Sequence, residues 1–244
     1  MTPKISIITV CYNSEDTIFR TMMSVRQQNY DNLEYIIIDG GSTDGTKSII
    51  KNFINSSKLV VKFISEKDQG IYDAMNKGLR YATGDLICML NSDDWLEKGA
   101  LKIVSETYSK KDRYVVYYGM ERRVKNNLEE YVGFHGHHFL PEASLPHQAC
   151  YVTRACYEDL AVYDLSYKSA SDYDFFLKLY LLNKVKFVPI YRILVNFTVG
   201  GMSSTDIGYI ENAKIRKKYK TITYCKYLYL IMRVLILRLI RTFE

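Results

Sequence analysis

The chain has 244 residues, of which 48% are hydrophobic and 25% charged, with a formal net charge of +6. That is ample for one large α/β domain with or without an appendage, and the composition excludes a disordered or fibrous protein. Residues 214–244 carry nine Lys/Arg against one Glu, or +8, so the first 213 residues sum to −2; a basic tail on a near-neutral body argues against a nucleic-acid partner.

In chain order, Lys4–Val10 is a short β-branched run that predicts a buried strand. No apolar leader precedes it, so no signal peptide is expected. Five cysteines without a C-x-x-C spacing fit a reduced compartment and no structural zinc. A helix is expected from Ser14 to about Gln28, opened by Glu15 and Asp16. Strand Leu33–Asp39 leads through Gly40-Gly41-Ser42 to a helix over Asp44–Asn55. Strand Leu59–Ile64 is followed by a helix over Ile71–Ala82, then strand Asp85–Asn91 and a helix over Lys98–Tyr108. This alternation specifies βαβ crossovers and a mostly parallel, Rossmann-like sheet flanked by helices. Ligands of such sheets sit beyond the carboxyl ends of the strands, where Asp39, Ser42, Asp68 and the pair Asp93-Asp94 fall.

After Tyr114–Tyr118 the pattern changes. A hairpin turning at Asn126-Asn127 is expected within Arg122–Tyr131, and an irregular loop over Gly133–His138. A helix follows over Ser171–Leu182, with Asp172 and Asp174 in its first turn. One or two strands are expected within Val185–Val195, broken near Pro189. Gly200–Ser204 reads as a flexible loop, and the remainder as helical and basic.

The residue chemistry leaves alternatives open. Asp39 before Gly-Gly-Ser-Thr-Asp-Gly fits a turn whose Asp44 or Ser42 caps a helix, or an acceptor for a base or ribose. Asp93 and Asp94 fit a solvated loop with Asp94 capping the next helix, or a Mg2+ or Mn2+ site completed by substrate phosphates, which implies a diphosphate. His135, His137, His138 and His147 are interrupted by glycine and lack cysteine neighbours. A zinc site is therefore not expected, and His147 reads as a phosphate or acceptor contact.

Four segments then converge. Thr9-Val-Cys-Tyr-Asn13, Asp39-Gly-Gly-Ser-Thr-Asp-Gly45, Asp68-Gln-Gly-Ile-Tyr-Asp-Ala-Met-Asn-Lys-Gly78 and Asn91-Ser-Asp-Asp-Trp95 resemble family 2 glycosyltransferases. His147-Gln148, Ser171-Asp172-Tyr173-Asp174 and Gly200-Gly-Met-Ser-Ser204 extend the likeness over roughly residues 4–204. The subgroup is that of bacterial O-antigen, capsule and exopolysaccharide assembly.

The resemblance implies an α/β GT-A fold, a nucleotide-diphosphate-sugar donor (UDP-sugar foremost), a Mn2+ or Mg2+ cofactor and inversion at the anomeric carbon. It implies a catalytic domain over 1–205, with a nucleotide-binding half to about 95 and an acceptor half from 96, then a basic amphipathic tail over 206–244. Thr9 and Asp39 match positions that hold the nucleobase. Val10, Tyr12, Asn13 and Ser42 accompany them, with Asp68, Gly70, Asn76 and Ser92 closing over the nucleoside. Asp93, with Asp94, matches the metal motif, and Asp172 the catalytic base. Trp95, His147, Gln148, Ser171, Gly201 and Ser203 match acceptor or phosphate contacts. Two departures stand out: Gly40 replaces the second Asp of Asp-Asp-Gly-Ser, and Asn91 the first acid of the metal motif.

The expected acceptor is a lipid-diphosphate-linked saccharide. The tail, too short in charge-free stretches to span a bilayer, is expected on an anionic membrane face. That makes the enzyme cytoplasmic and peripheral at the inner face of the cytoplasmic membrane. A helix packing on the catalytic domain or on a second copy, as a homodimer, is the alternative for the tail. A sugar nucleotidyltransferase and a non-catalytic nucleotide-sugar-binding protein are the alternatives for the function. The former would carry a Gly-rich basic loop after the first strand, and the latter would have no need of Asp172.

Overall fold

The computed structural model describes residues 2–126, 128–200 and 205–241. Strand β1 (Ile5–Cys11) lies parallel between β2 (Leu33–Asp39) and β4 (Leu86–Asn91), and β3 (Val61–Ser65) adds beyond β2. The crossovers are α1 (Ile18–Arg26), α2 (Thr46–Ser56) and α3 (Ile71–Tyr81). Past β4 the sheet turns mixed, in the order β8 (Cys150–Thr153), β6 (Val115–Lys125), β9 (Lys186–Thr198) and β5 (Trp95–Leu96). Strand β7 (Leu128–Gly133) folds back on β6. The parallel pairings are those among β1–β4 and the pair β6–β9; the others are antiparallel.

Period-two alternation explains the layering. Ile5 and Ile7 point to one face, where they pack with Ile18, Met22 and Val25 of α1 and Ile50 and Phe53 of α2. Ile8 and Val10 point to the other, against Tyr72 and Met75 of α3 and Phe175 and Leu179 of α6 (Ser171–Leu181). Both faces of β1 are therefore buried, which is why its sequence is a continuous apolar run.

Several expectations shift. β9 runs as one strand through Pro189, which pairs with Tyr118 of β6. Its other edge meets β5 only at Val195 and Asn196, so near Pro189 that edge is open, a position where proline is tolerated. β5, β8 and α5 (Arg154–Asp159) were too short to show a period. Helix α4 (Ala100–Thr107) has Gly99 at its N-cap, so Asp94 caps nothing.

Helix packing continues past residue 205. Helix α7 (Asp206–Lys218) is part of the body: Ala213 and Ile215 are buried, and Lys218 Nζ lies 2.8 Å from Asp174 Oδ1. The Glu211 carboxylate accepts the backbone N–H groups of Lys168, Ser169 and Ala170 at 2.9, 2.8 and 3.1 Å. The tail that leaves the body is α8 (Tyr224–Arg241) alone, with Tyr229, Met232, Leu235 and Ile236 exposed. Among the described residues no helix is long and apolar enough to cross a membrane.

At the opposite end of the sheet from the strand carboxyl ends, Glu34 accepts hydrogen bonds from Lys4 Nζ, Ser6 Oγ and both Thr83 donors at 2.5–2.8 Å. Burial opposes its charge, but these donors outweigh burial and hold its carboxyl down to about 2, from an ordinary 4.5. A folded-state pKa below the unfolded one contributes stability that is present above about pH 4.5 and lost as pH falls toward 2. Glu34→Gln should cost roughly 1–3 kcal/mol in urea unfolding at pH 7. The gap from the wild type should close as pH falls through that window; a gap independent of pH would contradict it.

Candidate active site

A cavity of about 860 Å3 opens beyond the carboxyl ends of β1 and β4. The structure brings Val10, Tyr12, Asn13, Asp68, Gly70, Ser92, Asp93, His147, Gln148 and Asp172 onto its wall, from segments spread over 160 positions of the chain. Tyr12 presents an exposed ring. Asn13 adopts φ +48°, with its Oδ1 accepting the Thr43 N–H at 2.8 Å and its own N–H bonded to Ser42 Oγ. Gly70, at φ +119°, opens α3 in a conformation that side-chain-bearing residues rarely adopt, and its N–H bonds to Asp68 Oδ1 at 3.0 Å.

Other sequence candidates stand behind the wall in this structure. Thr9 is buried, its hydroxyl 3.1 Å from that of Tyr35, because an odd-numbered position on β1 faces the α1/α2 layer. Asp39 is also fully buried. It accepts the Ser42 hydroxyl and N–H and the Ser65 hydroxyl, so it organises the loop and is not presented to a base. Ser42 is consumed by Asp39 and Asn13. Asn76 is bonded both ways to the Tyr163 backbone, at 2.8 and 3.1 Å. The Trp95 ring is covered by the Arg20 guanidinium at 3.7 Å, and Ser171 is buried. Gly201 and Ser203 lie outside the described residues.

The two adjacent acids separate. Asp94 is fully buried, accepting Gln148 Nε2 at 2.9 Å and the Thr198 N–H at 2.8 Å, and burial with Asp93 beside it pushes its pKa well up. It is a structural acid and not a metal ligand. Asp93 lines the cavity, and its backbone oxygen accepts from the Arg20 guanidinium and the Thr198 hydroxyl. Burial pushes its carboxyl up against the pull of Arg20 and His147. Asn91 Oδ1, also at the cavity, is buried with no partner among the described residues. An unpartnered amide oxygen and a desolvated carboxylate are oxygen donors suited to a hard divalent cation that keeps phosphate and water ligands. The fit is to Asn91 and Asp93; among the described residues no three His, Cys or acidic side chains converge on a metal site.

Across the cavity, Asp172 stands in the first turn of α6. Its Oδ1 accepts the Tyr72 hydroxyl at 2.8 Å, and its Oδ2 lies 3.2 Å from His147 Nδ1. Burial works against its charge, yet the His147 and Tyr72 contacts win and hold its carboxyl below the ordinary range. Tyr72 is raised well above ordinary, by burial and Asp172, and so remains a donor. Sequence reasoning assigned no role to Tyr72, although it lies inside the quoted 68–78 segment.

Arg123 and Lys168 were also missed. Both line the cavity, Arg123 held by Glu121 Oε1 at 2.8 Å and by the rings of Tyr131 and Phe197. No local motif marks them, since a hairpin and a loop deliver them. Cys11 also lines the cavity, but its thiol turns inward to Asp39 and the Ile38 carbonyl, and burial and Asp39 push its pKa up, so it is not a nucleophile at neutral pH.

Comparison with known proteins agrees with this geometry. The model of the family "Glycosyl transferase family 2" matches residues 6–166. An uncharacterized glycosyltransferase of Mycobacterium tuberculosis is 32% identical over 208 residues, covering 83% of this chain and 78% of that one. S. aureus TarS 1-349, solved with UDP-GlcNAc, superposes with a TM-score of 0.70 at 20% identity, over 95% of this chain and 71% of TarS. The mannosyltransferase PcManGT of Pyrobaculum calidifontis, solved with GDP-Man and Mn2+, gives 0.67 at 17% identity, over 96% and 69% of the two chains. These neighbours carry the GT-A fold.

Removing the Asp94 carboxylate strands the Gln148 and Thr198 donors in the interior. Asp94→Ala should therefore destabilise the fold by about 3 kcal/mol, while Asp93→Ala changes urea unfolding by less than about 1 kcal/mol. The reverse ranking would exchange their roles.

Proposed function

The chain belongs to glycosyl transferase family 2 and is a glycosyltransferase of the α/β GT-A fold; on that basis we propose that it moves a hexose or N-acetylhexosamine from a UDP-sugar to a lipid-diphosphate-linked saccharide. The setting is bacterial surface polysaccharide synthesis (O-antigen, capsule or exopolysaccharide), with inversion at the anomeric carbon. One observation carries this reading. A single cavity sets the unpartnered Asn91 Oδ1 and the Asp93 carboxylate against a carboxylate–imidazole pair, Asp172 and His147. The first suits a cation on a diphosphate, and the second suits removal of a proton from an incoming hydroxyl.

The roles follow from placement. The exposed Tyr12 ring and the Asn13 loop receive the nucleoside, with Asp68 and Ser92 at its edges. Arg123 and Lys168 supply positive charge to the diphosphate or to an anionic acceptor. Asn91 and Asp93 would hold Mn2+ or Mg2+, which when bound offsets charge developing on the departing diphosphate. The UDP-GlcNAc of TarS and the GDP-Man and Mn2+ of PcManGT support a nucleotide-sugar donor and a divalent cation here.

Helix α8 bears Lys226, Arg233 and Arg238 among exposed Tyr229, Met232, Leu235 and Ile236. Basic and apolar groups together suit the anionic inner face of the cytoplasmic membrane, where a lipid-linked acceptor resides. The same apolar surface would otherwise serve a homodimer.

A thermal-shift panel of UDP-, GDP- and dTDP-sugars with and without Mn2+ tests the donor, since ligands stabilise by occupancy. UDP-sugars should shift melting most, and Asp93→Ala should abolish the Mn2+ increment while leaving the apo melting point intact. UDP release on adding a lipid-diphosphate disaccharide tests transfer; its absence with every donor sinks the reading. A chain ending at residue 221 should lose co-sedimentation with anionic liposomes. If it sediments like the full chain, α8 is not the anchor.

A further inference from the structure

A base acts only from a fixed place, and Tyr72 and His147 hold the side chain of Asp172. Its main chain is held differently. The residues just before it form a loop between α5 and α6, whose Lys168 and Ser169 line the cavity. The loop's own turn serves Ser166 and Tyr167, whose N–H groups bond to Asp164. The next three N–H groups turn to a side chain from elsewhere.

That side chain is Glu211 of α7. Its Oε1 accepts the Lys168 N–H at 2.9 Å, and its Oε2 accepts those of Ser169 at 2.8 Å and Ala170 at 3.1 Å. Successive N–H groups aimed at one point form a concavity that favours an anion, and a charged acceptor strengthens each bond. Ala170 is the N-cap of α6, and its carbonyl takes the Asp174 N–H at 3.1 Å. The carboxylate therefore seats the turn that carries Asp172. The far end of α7 repeats the hold, where Lys218 Nζ meets Asp174 Oδ1 at 2.8 Å. Glu211 is 8% exposed and outside the cavity lining, so any effect it has on a substrate passes through this loop. It also lies beyond residue 166, where the match to the family model ends.

We propose, resting on the transferase reading above with Asp172 as the base, that Glu211 is a positioning residue of the transfer step. Its carboxylate fixes the backbone of residues 168–170 and so places Asp172, with Lys168, against the acceptor. A base must meet the acceptor hydroxyl within hydrogen-bond reach, and a misplacement of about 1 Å costs on the order of 10²-fold in rate. Without the Glu211 charge, Asp172 keeps its Tyr72 and His147 contacts while its main chain is free to drift. The donor side, on β1, β4 and the start of α3, takes no bond from Glu211 among the described residues.

The test measures UDP release with the nucleotide sugar selected by thermal shift and a lipid-diphosphate disaccharide as acceptor. Glu211→Gln keeps the size of the side chain but offers one acceptor oxygen, uncharged, to three donors. Its kcat should fall roughly 10- to 10²-fold, with the donor-induced melting shift unchanged. Ile215→Val trims the buried side of the same helix and touches no loop bond, so its melting temperature should fall while kcat stays within a few-fold of wild type. A Glu211→Gln enzyme within a few-fold of wild type overturns the proposal. So does an Ile215→Val enzyme as slow as Glu211→Gln, since loosening α7 would then suffice, or a donor shift lost together with turnover. Should Glu211→Gln fail to fold, Glu211→Asp decides. Its carboxylate is charged but one methylene short of the three N–H groups, so kcat should drop several-fold, and wild-type turnover would sink the idea. A wild type that releases no UDP from any donor overturns the transferase reading instead, and is seen before any variant is made.

Discussion

The carboxylate of Asp94 is the constraint on which the site depends. It is fully buried just past the end of β4, and its two oxygens draw in Gln148 from one side and the first N–H beyond Phe197 from the other. Its backbone oxygen takes the Thr21 hydroxyl of α1 at 2.6 Å. Three elements distant in sequence are thereby pinned to one point at the cavity floor. An acid in the interior is expensive unless its acceptor capacity is filled; here the filling groups are the ones that shape the cavity. His147 and Asp93, the neighbours of these pinned residues, inherit fixed positions from them.

The adjacent acids 93 and 94 owe their separate fates to the backbone. They sit on a turn closed by the Asp94 N–H to the Asn91 carbonyl at 3.3 Å, which sends one carboxylate into the core and leaves the other at the cavity. Repulsion between them falls on a pair in which Arg20 is close to both, its guanidinium spread over the Trp95 ring and bonded to the Asp93 carbonyl. The cavity thus has an acid at its wall backed by a fixed cation.

The sequence was most legible where periodicity is strong. β2 is Leu33–Asp39 as expected, and α3 begins at Ile71 and α6 at Ser171 as read from their first turns. The family-specific segments 9–13, 68–78, 91–95, 147–148 and 171–174 reach the cavity, whereas 39–45 lies behind its wall. What was illegible is the direction of individual side chains. Thr9, Asp39, Ser42, Asn76 and Asp94 belong to the right segments but face inward, because strand parity and loop hydrogen bonds decide orientation and a motif does not display either. Arg123 and Lys168 escaped because a hairpin and a loop, whose course depends on tertiary contacts, bring them to the wall. The tail was read as starting at Asp206, because charge composition cannot reveal that Glu211 holds the segment ahead of Asp172.

Gly40 is bare because the Asp68 carboxylate occupies the space its side chain would need. Asp68 and Gly70 stand at the very start of α3, and two residues later the same helix sends Tyr72 to Asp172. Asp68, Gly70 and Tyr72 thus belong to one short stretch, and one turn further on the Asn76 bonds to Tyr163 clamp the same helix. With the donor site proposed above, a nucleotide placed against Asp68 would rest on the same helix that steadies Asp172 through Tyr72, so one element would serve both substrates.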